Sequence, residues 1–227
     1  MTKIEEFETH LIRDGITEDD YPAYEKHLNR VRGNFSRLQH CYTTAVQFQP
    51  RRNAEAVGLI EWGLAKYPDT WFSSYSAYLN IGGIYENCRN YKQAYDAYLK
   101  AAGYLDETQK TYRQHLAGNL LWMLLHIDGF EYSVQLEEYY SEFNKVDDFT
   151  KGFVNTEYRL SIAEIVICRH HKLMAKAKEA YLNAVRLSKP GALSRIQNIL
   201  SHHQYNDTLQ STPESAQFLK HVSIEKV

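Results

Sequence analysis

Apolar residues recur at helical spacing in three separate stretches, and this periodicity limits the possible folds of the chain more than any other feature. The stretches cover residues 54–67, 91–105 and 173–187. Residues three or four positions apart lie on one face of an α-helix, so each stretch predicts an amphipathic helix with one buried face. The residues of these faces are Val57, Ile60, Leu64 and Tyr67; Ala94, Tyr98, Ala101 and Leu105; Leu173, Ala177, Ala180, Ala184 and Leu187.

Three intervening segments, 74–88, 111–126 and 157–171, are apolar over most of a helical circumference. A helix of that kind must be covered on more than one side, so we expect these segments to be buried helices. The run Ile165–Ile167 is also compatible with a buried strand, but its helical flanks favour a helix. Only 5 Pro and 11 Gly punctuate the chain, which is few for the many turns of an all-β protein. The predicted fold class is therefore all-α.

The stretch from Tyr75 to Asp106 repeats aromatic and small residues at fixed intervals along two consecutive predicted helices. The residues that fall in this register are Tyr78, Ile81, Gly82, Tyr85, Tyr91, Ala94, Tyr98 and Ala101. Their spacing resembles the tetratricopeptide repeat, a pair of antiparallel helices that stacks on similar pairs. Two residues depart from the pattern: Arg89 replaces the Gly that usually makes the turn, and Asp106 replaces the Pro that usually ends the second helix.

Weaker copies of the same pattern flank this stretch. Residues 37–68 match a preceding pair in their second half, residues 157–188 match a later pair in the same way, and 111–143 is a divergent pair. The resemblance therefore implies an antiparallel helix-hairpin solenoid of about four helical pairs with flanking helices. It divides the chain into an N-terminal helical cap (1–36), the repeats (37–190), and a C-terminal helix with a polar tail (191–227).

The resemblance also implies roles for individual residues. In such stacks Gly82 and Ala94 lie where the two helices of a pair come closest, and Ala101 packs on the next pair. The first helix of each pair lines a concave groove. The groove residues carried over to this chain are Leu79, Asn80, Gly83, Glu86 and Asn87, with Lys110 on the following first helix. A clamp for a peptide's terminal carboxylate is not expected, because Cys41 and Ala45 stand where the preceding repeat would need Lys and Asn.

A stack with such a groove predicts a non-catalytic scaffold or adaptor that binds a protein or a peptide. Two alternatives stay open: a peptide-sensing regulator, and an immunity or inhibitor protein that binds a toxin. Residues 131–148 carry six carboxylates and one lysine, whereas residues 169–195 carry seven lysines or arginines and one glutamate. This asymmetry could steer a charged partner, and its acidic part, 131–148, is the feature that favours the inhibitor. Exposed charged faces of ordinary helices are the preferred explanation of the asymmetry.

No known catalytic or cofactor-binding pattern is present in the sequence. Adjacent histidines, as in His170–His171 and His202–His203, point about 100° apart on a helix and serve one metal poorly. The pair Gly82–Gly83 is interpreted as close helix packing, because no phosphate-binding glycine motif surrounds it. We therefore expect no enzymatic activity, no cofactor and no metal.

Composition bears on partners and location. A formal net charge of -2 gives no reason to expect nucleic acid as a partner. No window of about 18 apolar residues predicts a membrane span, and the N-terminus lacks the pattern of a secretory signal. Three separated cysteines, Cys41, Cys88 and Cys168, favour reduced thiols and a cytoplasmic protein. A homodimer is compatible with all of these features.

Overall fold

The computed structural model describes residues 9, 11, 13, 15–48, 52–128, 131–151 and 154–187. Within these ranges the chain forms ten α-helices, one 3-10 helix (Glu18–Asp20) and no strand, which confirms the all-α prediction. The α-helices are α1 (Tyr21–Leu28), α2 (Asn34–Gln47), α3 (Asn53–Lys66), α4 (Trp71–Asn87), α5 (Tyr91–Ala102), α6 (Lys110–Ile127), α7 (Val134–Phe143), α8 (Asp148–Lys151), α9 (Val154–His170) and α10 (Met174–Leu187).

The chain divides into two compact units, Met1–Lys110 and Thr111–Val227. The boundary lies at the start of α6, inside the predicted repeat region 37–190. The predicted C-terminal helix and tail, 191–227, lie outside the described residues.

In unit 1, α2 packs against α3, and α4 packs against α5. Helix α4 also contacts both helices of the preceding pair. The first turns of α2 and α4 meet, since the rings of Phe35 and Phe72 lie 5.8 Å apart. Upstream residues complete the core, where Leu11, Tyr24 and Leu28 are fully buried.

Two glycines allow close helix contacts within these pairs. A Cβ atom at Gly63 of α3 would lie 2.8 Å from Cys41 Sγ of α2. A Cβ at Gly82 of α4 would lie within 2.8 Å of three ring carbons of Tyr98 on α5. Real Cβ atoms do not approach other heavy atoms so closely, so these glycines set the spacing between the helices of each pair.

In unit 2, α9 packs against α10 and also contacts α7. The run Ile165–Ile167 lies within α9, so the strand alternative is excluded. Helix α6 carries Gly118, where an added Cβ would lie within 2.8 Å of three ring carbons of Phe143 on α7. Helix α6, the first helix of this divergent stretch, has 18 residues.

The α4–α5 and α9–α10 connections share one backbone geometry. After α4, Arg89 adopts φ 60°, and after α9, Lys172 adopts φ 59°. In each turn the residue immediately after the left-handed one donates its backbone N–H to the carbonyl five residues earlier: Asn90 N donates to Tyr85 O, and Leu173 N donates to Cys168 O. This is the Schellman arrangement, whose left-handed residue is usually glycine. The departure at Arg89 thus leaves the turn geometry intact while placing a side chain in a left-handed backbone.

Candidate functional site

The predicted groove residues of α4 form one accessible strip along the helix. Leu79, Asn80, Gly83 and Glu86 are partly exposed, and Asn87 is exposed. The core face of the same helix holds Ala77, Ile81 and Ile84, all of which are buried. Lys110 is exposed on a different helix, at the start of α6.

Gly83 marks an open position in this strip. A Cβ added at Gly83 would meet no atom within 4 Å, whereas the neighbouring Gly82 is closed by the ring of Tyr98. The interpretation of both glycines as close packing is therefore right for Gly82 and wrong for Gly83. Since Gly83 has no packing role in unit 1, its lack of a side chain leaves the strip shallow and the helix backbone approachable.

Two of the polar side chains in the strip also make bonds within the protein. Asn80 Nδ2 donates to Ser76 O at 2.7 Å, one turn earlier on α4. Tyr98 donates its hydroxyl hydrogen bond to Glu86 Oε2 at 2.8 Å. Glu86 therefore joins α4 to α5 as well as facing the strip. Asn80 uses one of the two hydrogens of its Nδ2 group in the bond to Ser76 O.

Helix α2 supplies a second exposed face beside α4, and the sequence reasoning missed it. Gln39, His40, Thr43, Val46 and Gln47 are exposed at helical spacing, with Val46 50% exposed. The buried residues of α2 fall at the complementary positions, and this division becomes clear only from the packing of the helix. Those buried residues are Leu38, Cys41, Tyr42, Thr44 and Ala45.

Cys41 and Ala45 are fully buried, so neither of them lines a groove. Their use as groove positions was wrong, because α2 lacks the aromatic–glycine register that fixed α4. Burial raises the pKa of the Cys41 thiol to about 12, so this cysteine is a neutral core residue and not a nucleophile. The only Lys or Arg on α2 is Arg37, which donates to Val31 O and lies 5.5 Å from the ring of Tyr67.

The remaining repeat residues have packing roles in unit 1. Ala94, Tyr98 and Ala101 are buried on α5, while Tyr78, Tyr85 and Tyr91 are partly exposed. Tyr78 stacks on Tyr104 at 5.9 Å and accepts the ammonium of Lys100 at 5.4 Å from its ring centre. Aromatic contacts of this kind stabilise the ends of helix pairs without requiring full burial.

His170 and His171 of unit 2 form part of a polar cluster beside α7. Tyr132 donates to Glu137 Oε2 at 2.7 Å and stacks on His170 with ring centres 3.5 Å apart. His171 Nε2 lies 3.4 Å from the same carboxylate oxygen. The Tyr132 hydroxyl holds the pKa of Glu137 below its ordinary value. Among the described residues, no group of three His, Cys, Asp or Glu side chains is placed to hold a metal ion.

Comparisons of the chain with protein-family models, with curated proteins and with solved structures found no significant match. Within the described ranges, no helix combines the length and apolar character that crossing a membrane requires.

Proposed function

We propose that the chain is a non-catalytic protein of the tetratricopeptide type, and that the exposed faces of α2 and α4 together bind an extended segment of another protein or a peptide. The observation that carries this proposal is the lateral contact of α2 with α4. Two first helices side by side make one continuous surface, which a single helix cannot offer.

The chemistry of this surface suits the main chain of a ligand. Gln39, Gln47, Asn80 and Asn87 carry amides that both donate and accept, so they can pair with peptide N–H and C=O groups alike. Val46 adds an apolar contact. Glu86 is the one carboxylate of the α4 strip, and α2 has no Asp or Glu. The proposed ligand is therefore an extended, largely uncharged segment recognised through its backbone.

The first experiment identifies the ligand and maps its position. The full chain is used for affinity purification with chemical cross-linking, and mass spectrometry locates the cross-links. A synthetic peptide that matches the linked segment of the partner is then titrated by calorimetry. Cross-links that avoid α2 and α4 would contradict the proposal.

The substitution Gly83→Leu tests the open strip directly. The new side chain enters space that holds no protein atom within 4 Å of its Cβ, so the fold is retained while the strip is obstructed. We expect at least about tenfold weaker peptide binding, since a few central contacts contribute most of the binding free energy and the new side chain would block such contacts. Ala65→Leu is the matched control, because it adds the same kind of side chain at an exposed position of α3. Equal binding by both variants would contradict the placement of the ligand.

The double substitution Asn80→Ala with Asn87→Ala tests the amides. We expect the peptide to bind about tenfold more weakly while the thermal unfolding temperature changes little, because both residues lie on the accessible side of α4. Calorimetric titration and circular dichroism measure the two quantities. Unchanged affinity would show that these amides do not contact the ligand.

A further inference from the structure

An aromatic cluster joins the first turns of α2 and α4 in unit 1; it consists of Phe35, Trp71, Phe72 and Tyr75. The rings of Phe35 and Phe72 lie 5.8 Å apart across the two helices. On α4 the Trp71 ring stands nearly perpendicular to the Phe72 ring at 5.6 Å, and it lies 6.3 Å from Tyr75. Aromatic pairs at these distances and angles stabilise each other. The cluster is therefore a set of rings that hold one another in place.

The cluster has a buried side and an accessible side. Tyr75 is buried and contacts both Trp71 and Phe72, so it supports these two rings from the core. Trp71 is 39% exposed, and Phe35 and Phe72 are partly exposed. These three rings retain apolar area in contact with water, and a ligand that covers this area gains free energy.

The accessible rings lie at one end of the surface proposed to bind a ligand. Residues four positions apart share a face of a helix. Phe72 precedes Ser76 and Asn80 on the strip of α4 at this spacing, and Phe35 precedes Gln39 on the outer face of α2 in the same way. Both faces therefore begin at the cluster, and an extended segment that follows them reaches the rings.

A buried hydrogen bond fixes the two helices beside the rings. Tyr42 of α2 donates its hydroxyl hydrogen to Ser73 O of α4 at 2.8 Å. Burial raises the pKa of Tyr42 above its ordinary value, so the hydroxyl keeps the proton that it donates. Ser73 directly follows Phe72, so this bond sets the distance between the helices at the cluster. A site that is already formed loses less free energy to ordering when a ligand binds.

The surroundings of the cluster favour an uncharged ligand group. Residues 34–37 and 71–74, the first turns of α2 and α4, include no Asp or Glu. Arg37 donates to Val31 O, and its guanidinium lies 5.5 Å from the Tyr67 ring centre. The accessible part of the cluster therefore consists of ring faces and edges, which suit an apolar side chain.

Proline is the apolar residue that suits both the rings and the rest of the surface. Its side chain is a compact ring, and aromatic-lined surfaces bind proline-rich segments by packing against such rings. A proline-rich segment is already extended and has no internal hydrogen bonds, so its carbonyl groups are available to the amides of α2 and α4. Because its backbone is restricted before binding, it also loses little conformational entropy.

We propose that Phe35, Trp71 and Phe72 bind a proline side chain of the ligand, so that the ligand is a proline-containing extended segment. This inference rests on the function proposed for the surface of α2 and α4. The amides recognise a backbone of any sequence, whereas the aromatic cluster adds a preference for one residue type.

Calorimetric titration of the full-length chain with a synthetic peptide of consecutive prolines tests the proposal. A glycine–serine peptide of equal length is the reference, because it is also uncharged but has no ring and no fixed backbone. We expect the proline peptide to bind at least about tenfold more tightly. Its addition should also shift the tryptophan emission to shorter wavelength, because Trp71 would lose contact with water.

Two variants locate the binding of the proline peptide. Trp71→Leu and Phe35→Leu each remove an aromatic ring but keep an apolar side chain, so the fold should be retained, which circular dichroism checks. Each should weaken the binding of the proline peptide by about tenfold. Tyr112→Leu is the matched control, because Tyr112 is 40% exposed, as Trp71 nearly is, but belongs to unit 2.

Equal affinity for the two peptides would overturn the proposal, and so would proline binding that both ring variants leave unchanged or that Tyr112→Leu weakens equally. The cross-linking experiment separates this failure from a failure of the proposed function. A natural ligand that cross-links to α2 and α4 but has no proline at the cluster would contradict the proline site alone. Cross-links that avoid both helices would contradict the binding surface and the proline site together.

Discussion

The helix pairs α4–α5 and α9–α10 have the same outline but different internal contacts. Each first helix has 17 residues, and each turn contains a left-handed residue and a Schellman hydrogen bond. The second helices bury the same residue types in the same order. These are Ala94, Ala97, Tyr98 and Ala101 on α5, and Ala177, Ala180, Tyr181 and Ala184 on α10.

The difference lies on the first helices. The place of Gly82 in α4 is taken by Ile165 in α9, which is 1% exposed. Tyr181 is the counterpart of Tyr98. If its ring packed on α9 as the Tyr98 ring packs on Gly82, the ring would collide with the Cβ of Ile165. The Tyr181 ring must therefore occupy a different position in its own pair. Both pairs thus form with the same turn and the same small residues on the second helix. The contact between the tyrosine of the second helix and the first helix differs from one pair to the other.

Ile165→Gly should have the largest effect on this comparison. It removes a buried branched side chain and adds a helical glycine, so we expect the α9–α10 pair to lose about 4 kcal/mol of stability. Native-state hydrogen exchange of α9 and α10 measures the loss, and Ile165→Val serves as a mild control at about 1 kcal/mol. A loss below about 2 kcal/mol would mean that Tyr181 moves into the vacated space, as Tyr98 does at Gly82.

The adjacent glycines of α4 should respond in opposite directions to the same change. Gly82→Ala forces the Tyr98 ring to move and should destabilise the α4–α5 pair by about 2 kcal/mol. Gly83→Ala should stabilise it by up to about 1 kcal/mol, because its Cβ enters open space and alanine favours the helix. Urea unfolding followed by fluorescence compares the two variants. Stability changes of the same sign in both variants would show that the two glycines do not differ in environment.

These glycines also show how far the sequence could predict the molecule. The apolar periodicity predicted the six helices α3, α4, α5, α6, α9 and α10, and the repeat resemblance implied the closeness of Gly82 to α5. It could not predict that Glu86 bonds Tyr98, because that bond depends on side-chain conformations of two helices. The predicted start of α4 at Ser74 was three residues late. Thr70 precedes the observed start with an extended backbone and is a residue type favoured at helix N-termini, so the signal was available.

For the candidate site, the sequence predicted the accessible strip of α4 but assigned α2 in the wrong register. In α4 the aromatic and glycine positions fix the rotation of the helix. Helix α2 lacks them, and the positions carried over from the repeat pattern fell on the buried Cys41 and Ala45. Only the alternation of buried and exposed residues around α2 defines its outer face, and that alternation becomes clear when its packing against α3 and α4 is known.

At corresponding positions, the α9–α10 pair has a hydrogen bond between its helices, whereas the α4–α5 pair has a cation–π contact. Removal of the two interactions should therefore reduce stability by unequal amounts. Asn183 bonds Ser161 at 2.8 Å in a partly buried contact, whereas Lys100 lies over the Tyr78 ring at 5.4 Å on the surface. Asn183→Ala should cost about 1 kcal/mol, since it leaves a buried hydroxyl without that donor. Lys100→Ala should cost about 0.5 kcal/mol, because exposed cation–π contacts are weak. The reverse order in thermal unfolding would contradict the assignment of the stronger contact to α9–α10.

The smallest expected effects come from the feature that the two pairs share. Arg89→Gly and Lys172→Gly should each raise stability by about 0.5 kcal/mol, because a left-handed backbone strains a side-chain-bearing residue, and glycine relieves this strain at some cost in unfolded-chain entropy. Denaturant midpoints of both single variants and of the double variant measure the gains. Since the turns belong to different units, the two gains should add. A gain at only one turn would mean that the side chain at the other turn makes a contact that compensates for its strained backbone. The two turns would then share a backbone conformation but differ in their strain energy.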